Sequence, residues 1–244
     1  HFDTSILKSK YALVLDSDSL GQFMTSGASY TLAEINLHTN KGGHSGNDIA
    51  DTTRENAAKL IADLVSVLPQ GVFYSDPTDH HVVTSCNIGG IVAGNPDVTN
   101  IINQDAKVTY SIRSSSREKE DELKSLMKFH VDEFNKEYDG IAQALLKFEE
   151  HLPPFEKSWD NFMPQMFELS AKAVGVESEV GSFHAGAETH IYANSVNSKN
   201  EKMLPFLVGL ADVRNMHCKE ENVSYKSMLK GQELLRQFFF DFNK

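Results

Sequence analysis

The chain has 244 residues, 40% of them apolar and 23% charged, with 15 Phe and one Trp, a balance that excludes wholesale disorder, a collagen-like chain and a disulfide-stapled miniprotein. Lys plus Arg number 23 against 34 Asp plus Glu, a net charge of −11, which repels phosphate backbones and anionic lipid and predicts neither a nucleic-acid nor a membrane partner. Cys86 and Cys218 form no CxxC pair, apolar runs stop short of the ~20 residues of a span, and no signal pattern opens the chain, so a cytoplasmic location is expected.

In chain order, Lys10 to Leu15 (KYALVL) reads as a buried strand that opens onto a polar loop at Asp16-Ser17-Asp18. Tyr30 to His38 alternates as a half-buried strand until Gly42-Gly43-His44-Ser45-Gly46 breaks the pattern. Ala57, Leu60, Ile61, Leu64, Val65 and Leu68 form a helical stripe closed by Pro69 and Gly71. Strands follow at His81 to Val92 and Ala106 to Arg113, then a charged helix from Ser116 to Lys136 burying Leu123, Leu126, Met127, Val131 and Phe134. Ile141 to His151 suits a strand, although AQALL also suits a helix. Together they spell β-α-β-β-α-β, a split βαβ sandwich.

Beyond Pro153-Pro154 come a helix (Asp160 to Val174), a small-residue loop, a buried strand (Leu204 to Ala211) and a final helix from near Asn222 that buries Met228, Leu229, Leu235 and Phe239. The predicted class is α/β: a partial catalytic domain (1–28 and 153–244) with an inserted α+β βαββαβ domain (29–152).

Several residues have chemistry to offer, each with a plainer reading beside it. Glycines around His44 let the backbone turn sharply and hold an imidazole away from its sheet; a solvated turn has the same spelling. Asp16, with Asp18 competing, ends an apolar strand where α/β sheets place ligands, and a terminal Asp also forms turns. His217 follows the strand from Leu204 as a zinc ligand or as a solvated loop histidine. The turn His184-Ala185-Gly186-Ala187-Glu188 allows close approach of a ligand or simply starts a helix. Arg113 grips a carboxylate or makes a rim salt bridge. His80-His81 reads as surface, and Phe238-Phe239-Phe240 as core with one ring partly exposed.

Taken in order, the strand into Asp16, GGHSGNDI (Gly42 to Ile49), the run from Gly89 to TNIINQDA ending at Ala106, Ile112-Arg113, HAGAE (His184 to Glu188) and NMH (Asn215 to His217) resemble the dinuclear-zinc peptidases of the aminoacyl-histidine dipeptidase, peptidase T, carnosinase and carboxypeptidase G family. GGHSGNDI and HAGAE are most similar to the aminoacyl-histidine dipeptidase branch. The resemblance implies a zinc-dependent di- or tripeptidase with two zinc ions, Asp16 ligating one and His217 the other. It implies that His44 projects from the inserted lid to stabilise the oxyanion, within one chain or across a homodimer formed by the lids. Asn100 matches a substrate-binding lid asparagine, Arg113 is a candidate for the substrate's terminal carboxylate, and His184, Gly186 and Glu188 match a substrate-binding turn near the metals.

The family's opening His-x-Asp, bridging Asp and Glu-Glu pair have no counterpart here. His1-Phe2-Asp3 resembles the segment just after the Glu-Glu, so the chain is expected to be the C-terminal part of a longer enzyme and inactive alone. An N-acyl-amino-acid amidohydrolase and a non-catalytic dimerisation module are the rival readings.

Overall fold

The computed structural model describes residues 3–77 and 82–244; His1, Phe2 and the pair His80-His81 lie outside the described residues. Strands β1 (Tyr11–Val14) and β2 (Gln22–Gly27) come first. The next are β3 (Tyr30–Thr39), β4 (Gly43–His44), helix α1 (Ala57–Val67), β5 (Gly71–Ser75), β6 (Val83–Ala93), β7 (Ile101–Ile102) and β8 (Asp105–Ser114). Helix α2 (Arg117–Glu137), β9 (Ala142–Leu152), α3 (Phe162–Ala173), β10 (Glu179–Phe183), α4 (Thr189–Ala193), β11 (Leu204–Val208), β12 (Val213–Arg214), β13 (Asn222–Val223) and α5 (Tyr225–Phe242) complete the chain. Two compact units result, one holding residues up to Ser29 and from Leu152 onward, the other Tyr30–Ser75 and Val83–His151. Among the described residues no helix is long and apolar enough to cross a membrane.

The second unit is built on an antiparallel sheet ordered β5-β6-β8-β3-β9. Alternation dictates its inner face: Ala33, Ile35 and Leu37 from β3 and Val108, Tyr110 and Ile112 from β8 are all buried. Helices α1 and α2 cover that face with Leu60, Ile61, Leu64, Leu123, Met127 and Val131. Each helix starts on a side-chain cap, Asn56 accepting from the Ala58 N–H and Ser116 from the Lys119 N–H. The expected βαββαβ order is present, extended by β5. The segment from Ile141 is strand rather than helix, because β9 pairs with the β3 edge. Cys86 is free in this core, and burial pushes its thiol up to about 11.

The first unit has a four-stranded sheet ordered β1-β11-β2-β10, with β1 parallel to β11 and β2 antiparallel to it. Phe23 is fully buried, 4.6 Å from the Phe167 ring and 4.8 Å from that of Phe206. Such a ring contributes about 1.5–3 kcal/mol by burial and about 0.5–1.5 kcal/mol per aromatic pair.

Two sequence expectations need correction here. β1 is half-buried along its whole length, since it is an edge strand paired only with β11; its run of apolar residues suits a parallel strand covered on both faces. The final helix begins at Tyr225 and buries Ser227, Gly231, Leu234 and Phe238, while Met228, Leu229, Phe239 and Phe240 are exposed. Gly231 sets that rotation: a Cβ there would lie 1.8 Å from the Leu210 carbonyl oxygen, so the helix seats through its bare backbone. Gly231→Ala is therefore expected to lower stability by at least about 1–3 kcal/mol, read as a fall in Tm by calorimetry.

Helix α5 is also tied to α3 at its end. Asp241 accepts from Lys244 at 2.8 Å, Gln237 at 2.9 Å and the Ser170 hydroxyl at 2.8 Å. These bonds, that of Lys244 foremost, hold its carboxyl down from 3.8 to about 2. A depressed carboxyl pKa stabilises the fold above the unfolded value and loses that contribution as pH falls through the folded one. Between about pH 4 and 2 the stability of Asp241→Asn should thus fall less steeply than that of the parent chain in denaturant titrations.

Candidate functional site

In the first unit the loops after β1 and β11 are joined through main-chain bonds. The Ser17 N–H donates to the Val208 carbonyl at 3.3 Å, the Gly21 N–H to Gly209 at 2.9 Å, and the Val213 N–H to Asp18 at 2.7 Å. The Asp212 carboxylate accepts from the Leu20 N–H at 3.0 Å, while its own N–H donates to the Ser227 hydroxyl at 2.8 Å, tying both loops to the start of α5. Asp212 was not singled out from the sequence, and its position just past an apolar strand is the signal that marks it. Gly209 must be glycine, because a Cβ would meet the Ser19 carbonyl oxygen at 1.8 Å.

The carboxyl ends of β1 and β11 thus present two chain segments side by side, one carrying Asp16 and the other leading into His217. Asp16 is exposed, and among the described residues its carboxylate has no hydrogen-bond or ion-pair partner. Asp18, the competing residue, accepts from the Ser19 hydroxyl at 2.9 Å and gives its main chain to the zipper. His217 lies in the β12–β13 hairpin, a feature the periodicity did not reveal. Its ring is exposed and without a partner among the described residues; its N–H donates to Glu221 at 2.8 Å. Asn215 and His217 both adopt left-handed backbone, φ 56° and 63°, a conformation uncommon for side-chain-bearing residues and often retained where a side chain must be aimed.

A carboxylate and an imidazole are both zinc donors. The set is nonetheless incomplete: among the described residues no three His, Cys, Asp or Glu side chains come together as a metal cluster. Two donors of the right chemistry fit one ligand apiece and no more.

The HAGAE turn follows β10, whose last residue Phe183 is level with Gly27 at the end of β2. β2 runs antiparallel to β11, so the turn leaves the sheet at the end opposite the carboxyl ends of β1 and β11. His184, Gly186 and Glu188 are all exposed. Glu188 lines a groove of about 410 Å³ with Leu13, Val14, Tyr192 and Met203. Behind the turn, buried His190 donates through Nε2 to the Ala28 carbonyl at 3.0 Å, and its Nδ1 lies 2.9 Å from the Ala187 carbonyl and 3.2 Å from the Ala187 N–H. That histidine fixes the turn from below and carried no sequence signal apart from its type.

In the second unit His44 occupies a two-residue strand, β4, paired with β7 so that His44 faces Ile101. The Ser45 N–H donates to the Asn100 carbonyl at 3.0 Å, which brings Asn100 beside the histidine. The glycines there act differently from expectation. Gly42, Gly43 and Gly46 all lie outside the left-handed region; Gly43 instead leaves room for the Asp48 carboxylate, whose Oδ2 a Cβ there would meet at 2.7 Å. Arg113 lies eight residues beyond Asp105 on β8, about 27 Å along the strand, at the sheet end away from His44. Its guanidinium stacks 4.9 Å over the Tyr30 ring.

Residues 31–139 match the family model described as a peptidase dimerisation domain. The second unit therefore resembles a peptidase dimerisation domain, and the chain has the mixed α/β fold of solved M20-type structures in which such a domain is inserted. No curated protein matches the chain by sequence. Among solved structures it is similar to aminopeptidase PepT from Bacillus cereus, at 18% identity and a TM-score of 0.84, over 100% of this chain and 60% of that one. Aminoacylhistidine dipeptidase from Vibrio alginolyticus is similar at 13% identity and a TM-score of 0.69, over 98% of this chain and 67% of that one. A Bacillus subtilis protein, YXEP, described as a dinuclear metal binding peptidase from the M20 family, is similar at 14% identity and a TM-score of 0.64, over 93% and 55%. The chain spans about 60% of the length of PepT.

Proposed function

We propose that this chain forms the dimerisation domain and part of the catalytic domain of a zinc-dependent peptidase acting on di- or tripeptides, in the cytoplasm and as a homodimer through the second unit. The observation that carries the reading is the zipper between the loops after β1 and β11, which sets an unengaged carboxylate beside the segment leading to an exposed imidazole. On this reading Asp16 ligates one zinc ion and His217 the other, and the remaining ligands and the general base belong to residues outside these 244. A bound pair of zinc ions supplies Lewis-acid charge to a scissile amide carbonyl. Asp212 and the Gly209 contact keep the two loops in register, which limits the reorganisation the two donors undergo when a metal binds.

From the lid, His44 donates a hydrogen bond to the carbonyl oxygen as negative charge develops there, and Asn100 binds the peptide beside it. Arg113 takes the substrate's terminal carboxylate, and His184, Gly186 and Glu188, which leave the sheet at the end opposite Asp16 and His217, meet the substrate away from the metals and not beside them as the resemblance implies. Arg113 lies about 27 Å along β8 from Asp105, a span far longer than a dipeptide.

The test is co-expression with an N-terminal segment that carries a His-x-Asp, an Asp and a Glu-Glu, followed by assay of dipeptides, tripeptides and N-acyl-amino acids with zinc. Hydrolysis of the peptides in a folded complex is the expected result. A folded, zinc-loaded complex that cleaves neither peptide class contradicts the reading, and faster cleavage of N-acyl-amino acids replaces it with the amidohydrolase.

A further inference from the structure

The His44 turn is held by contacts that the sequence pattern does not display. The Gly46 N–H donates to His44 Nδ1 at 3.1 Å and the Asn47 N–H to the same atom at 3.3 Å. An amide N–H has only a proton to give, so Nδ1 must offer its lone pair, and the neutral ring then carries its proton on Nε2. These two amides converge because residues 44 and 48 bond each other reciprocally. The His44 N–H donates to Asp48 Oδ2 at 2.8 Å, and the Asp48 N–H donates to the His44 carbonyl at 3.0 Å.

Asp48 is steadied in turn. Arg54 Nη2 stands 4.0 Å from its Oδ1, and Arg54 is anchored through Nε to Asp51 at 2.9 Å and through Nη1 to the Gly42 carbonyl. Asp48 is 36% exposed and Arg54 27%, so the ion pair is worth little by itself; the bond into the His44 main chain does the orienting. Gly43 leaves the space that the Asp48 carboxylate fills. On the other flank, pairing of β4 with β7 and the Ser45–Asn100 bond close the turn.

Resting on the oxyanion-donor reading of His44, we propose that Asp48, steadied by Arg54, is a positioning residue that fixes the 44–48 turn and so holds His44 in the Nε2–H tautomer, ready to donate to a developing negative oxygen. Asp48 touches the main chain of His44 and not its ring, so it acts through the turn.

The experiment is nitrogen-15 NMR of the whole 244-residue chain labelled at histidine, with His44→Ala to assign the ring. At neutral pH the His44 Nδ1 resonance is expected in the pyridine-like range and Nε2 in the pyrrole-like range. Asp48→Ala should move both toward exchange-averaged values, and Asp48→Asn, whose amide oxygen accepts the same bond, should restore them. Averaged or Nδ1–H signals in the parent chain overturn the proposal, as does an Asp48→Ala spectrum unchanged in a folded chain. Should Asp48→Ala fail to fold, Gly43→Ala displaces the same carboxylate and must produce the same averaging. A fixed tautomer alongside normal turnover by His44→Ala in the co-expressed enzyme would discard the oxyanion role and keep the clamp; averaged signals alongside slow turnover would discard the clamp alone.

Discussion

Replacing Asp16 by Asn is expected to abolish detectable peptide hydrolysis in the co-expressed enzyme while leaving the melting temperature of the 244-residue chain unchanged. The two halves of that expectation have separate causes. The Asp16 carboxylate supports no hydrogen bond among the described residues, so the loop zipper, made by Ser17, Asp18, Gly21, Gly209 and Val213 main-chain groups, survives the change. The side chain keeps its volume and loses its charge, and the charge is what a divalent cation binds. Loss of residues that merely support ligands commonly weakens metal affinity by about 10–100-fold, so loss of a ligand itself should exceed the upper end of that range. Asp18→Asn is the matched control, because its carboxylate is engaged by Ser19, and activity close to the parent's is expected. At the other loop His217→Asn is the informative change, since asparagine tolerates the left-handed backbone that His217 adopts; it should reproduce the loss. Isothermal titration with zinc alongside the assay checks both.

The second large effect is at His44. His44→Ala in the same complex should lower kcat by about 10²–10³-fold, equivalent to about 2.7–4 kcal/mol, with little change in KM, because a donor aimed at developing charge binds the transition state and not the substrate. The ring is exposed and its structural bonds are two that it accepts from Gly46 and Asn47. Its removal exposes those amides to water and does not open the lid core, so circular dichroism should be unaltered. A rise in KM at constant kcat would assign His44 to substrate binding and contradict the oxyanion role.

Much of the second unit was legible because its elements repeat their pattern over many residues. The α1 stripe and the alternation of β3 and β8 each supply four or more concordant positions, enough to name element and buried face together. What escaped was short or set by contact. The two-residue strands β4, β7, β12 and β13 are too brief to show a period. The rotation of α5 depends on one glycine meeting one carbonyl, and the apolar residues lie on both sides of that helix, so their spacing alone favours neither face. Glu120 looks like one more charge on a solvated helix, yet it is fully buried, bonded to the Thr31 hydroxyl at 2.6 Å and paired with Lys124 at 2.6 Å.

The candidate site was legible as an order of motifs and illegible as geometry. Asp16 could be named from the strand before it, but its advantage over Asp18 lies in which carboxylate is already occupied, a matter of local folding. The joining of the loops runs through backbone amides, which every residue but proline possesses, so no residue type announces it. The tautomer of His44 and the left-handed turn at His217 belong to the same class of information.

The most direct measurement is a crystal structure of the co-expressed enzyme with zinc, using anomalous scattering at the zinc edge to locate the metals. The account predicts two zinc peaks, one about 2.0–2.2 Å from an Asp16 carboxylate oxygen and the other about 2.0–2.1 Å from a His217 ring nitrogen. Zinc fully bound in an active complex with either residue outside coordinating distance would contradict it.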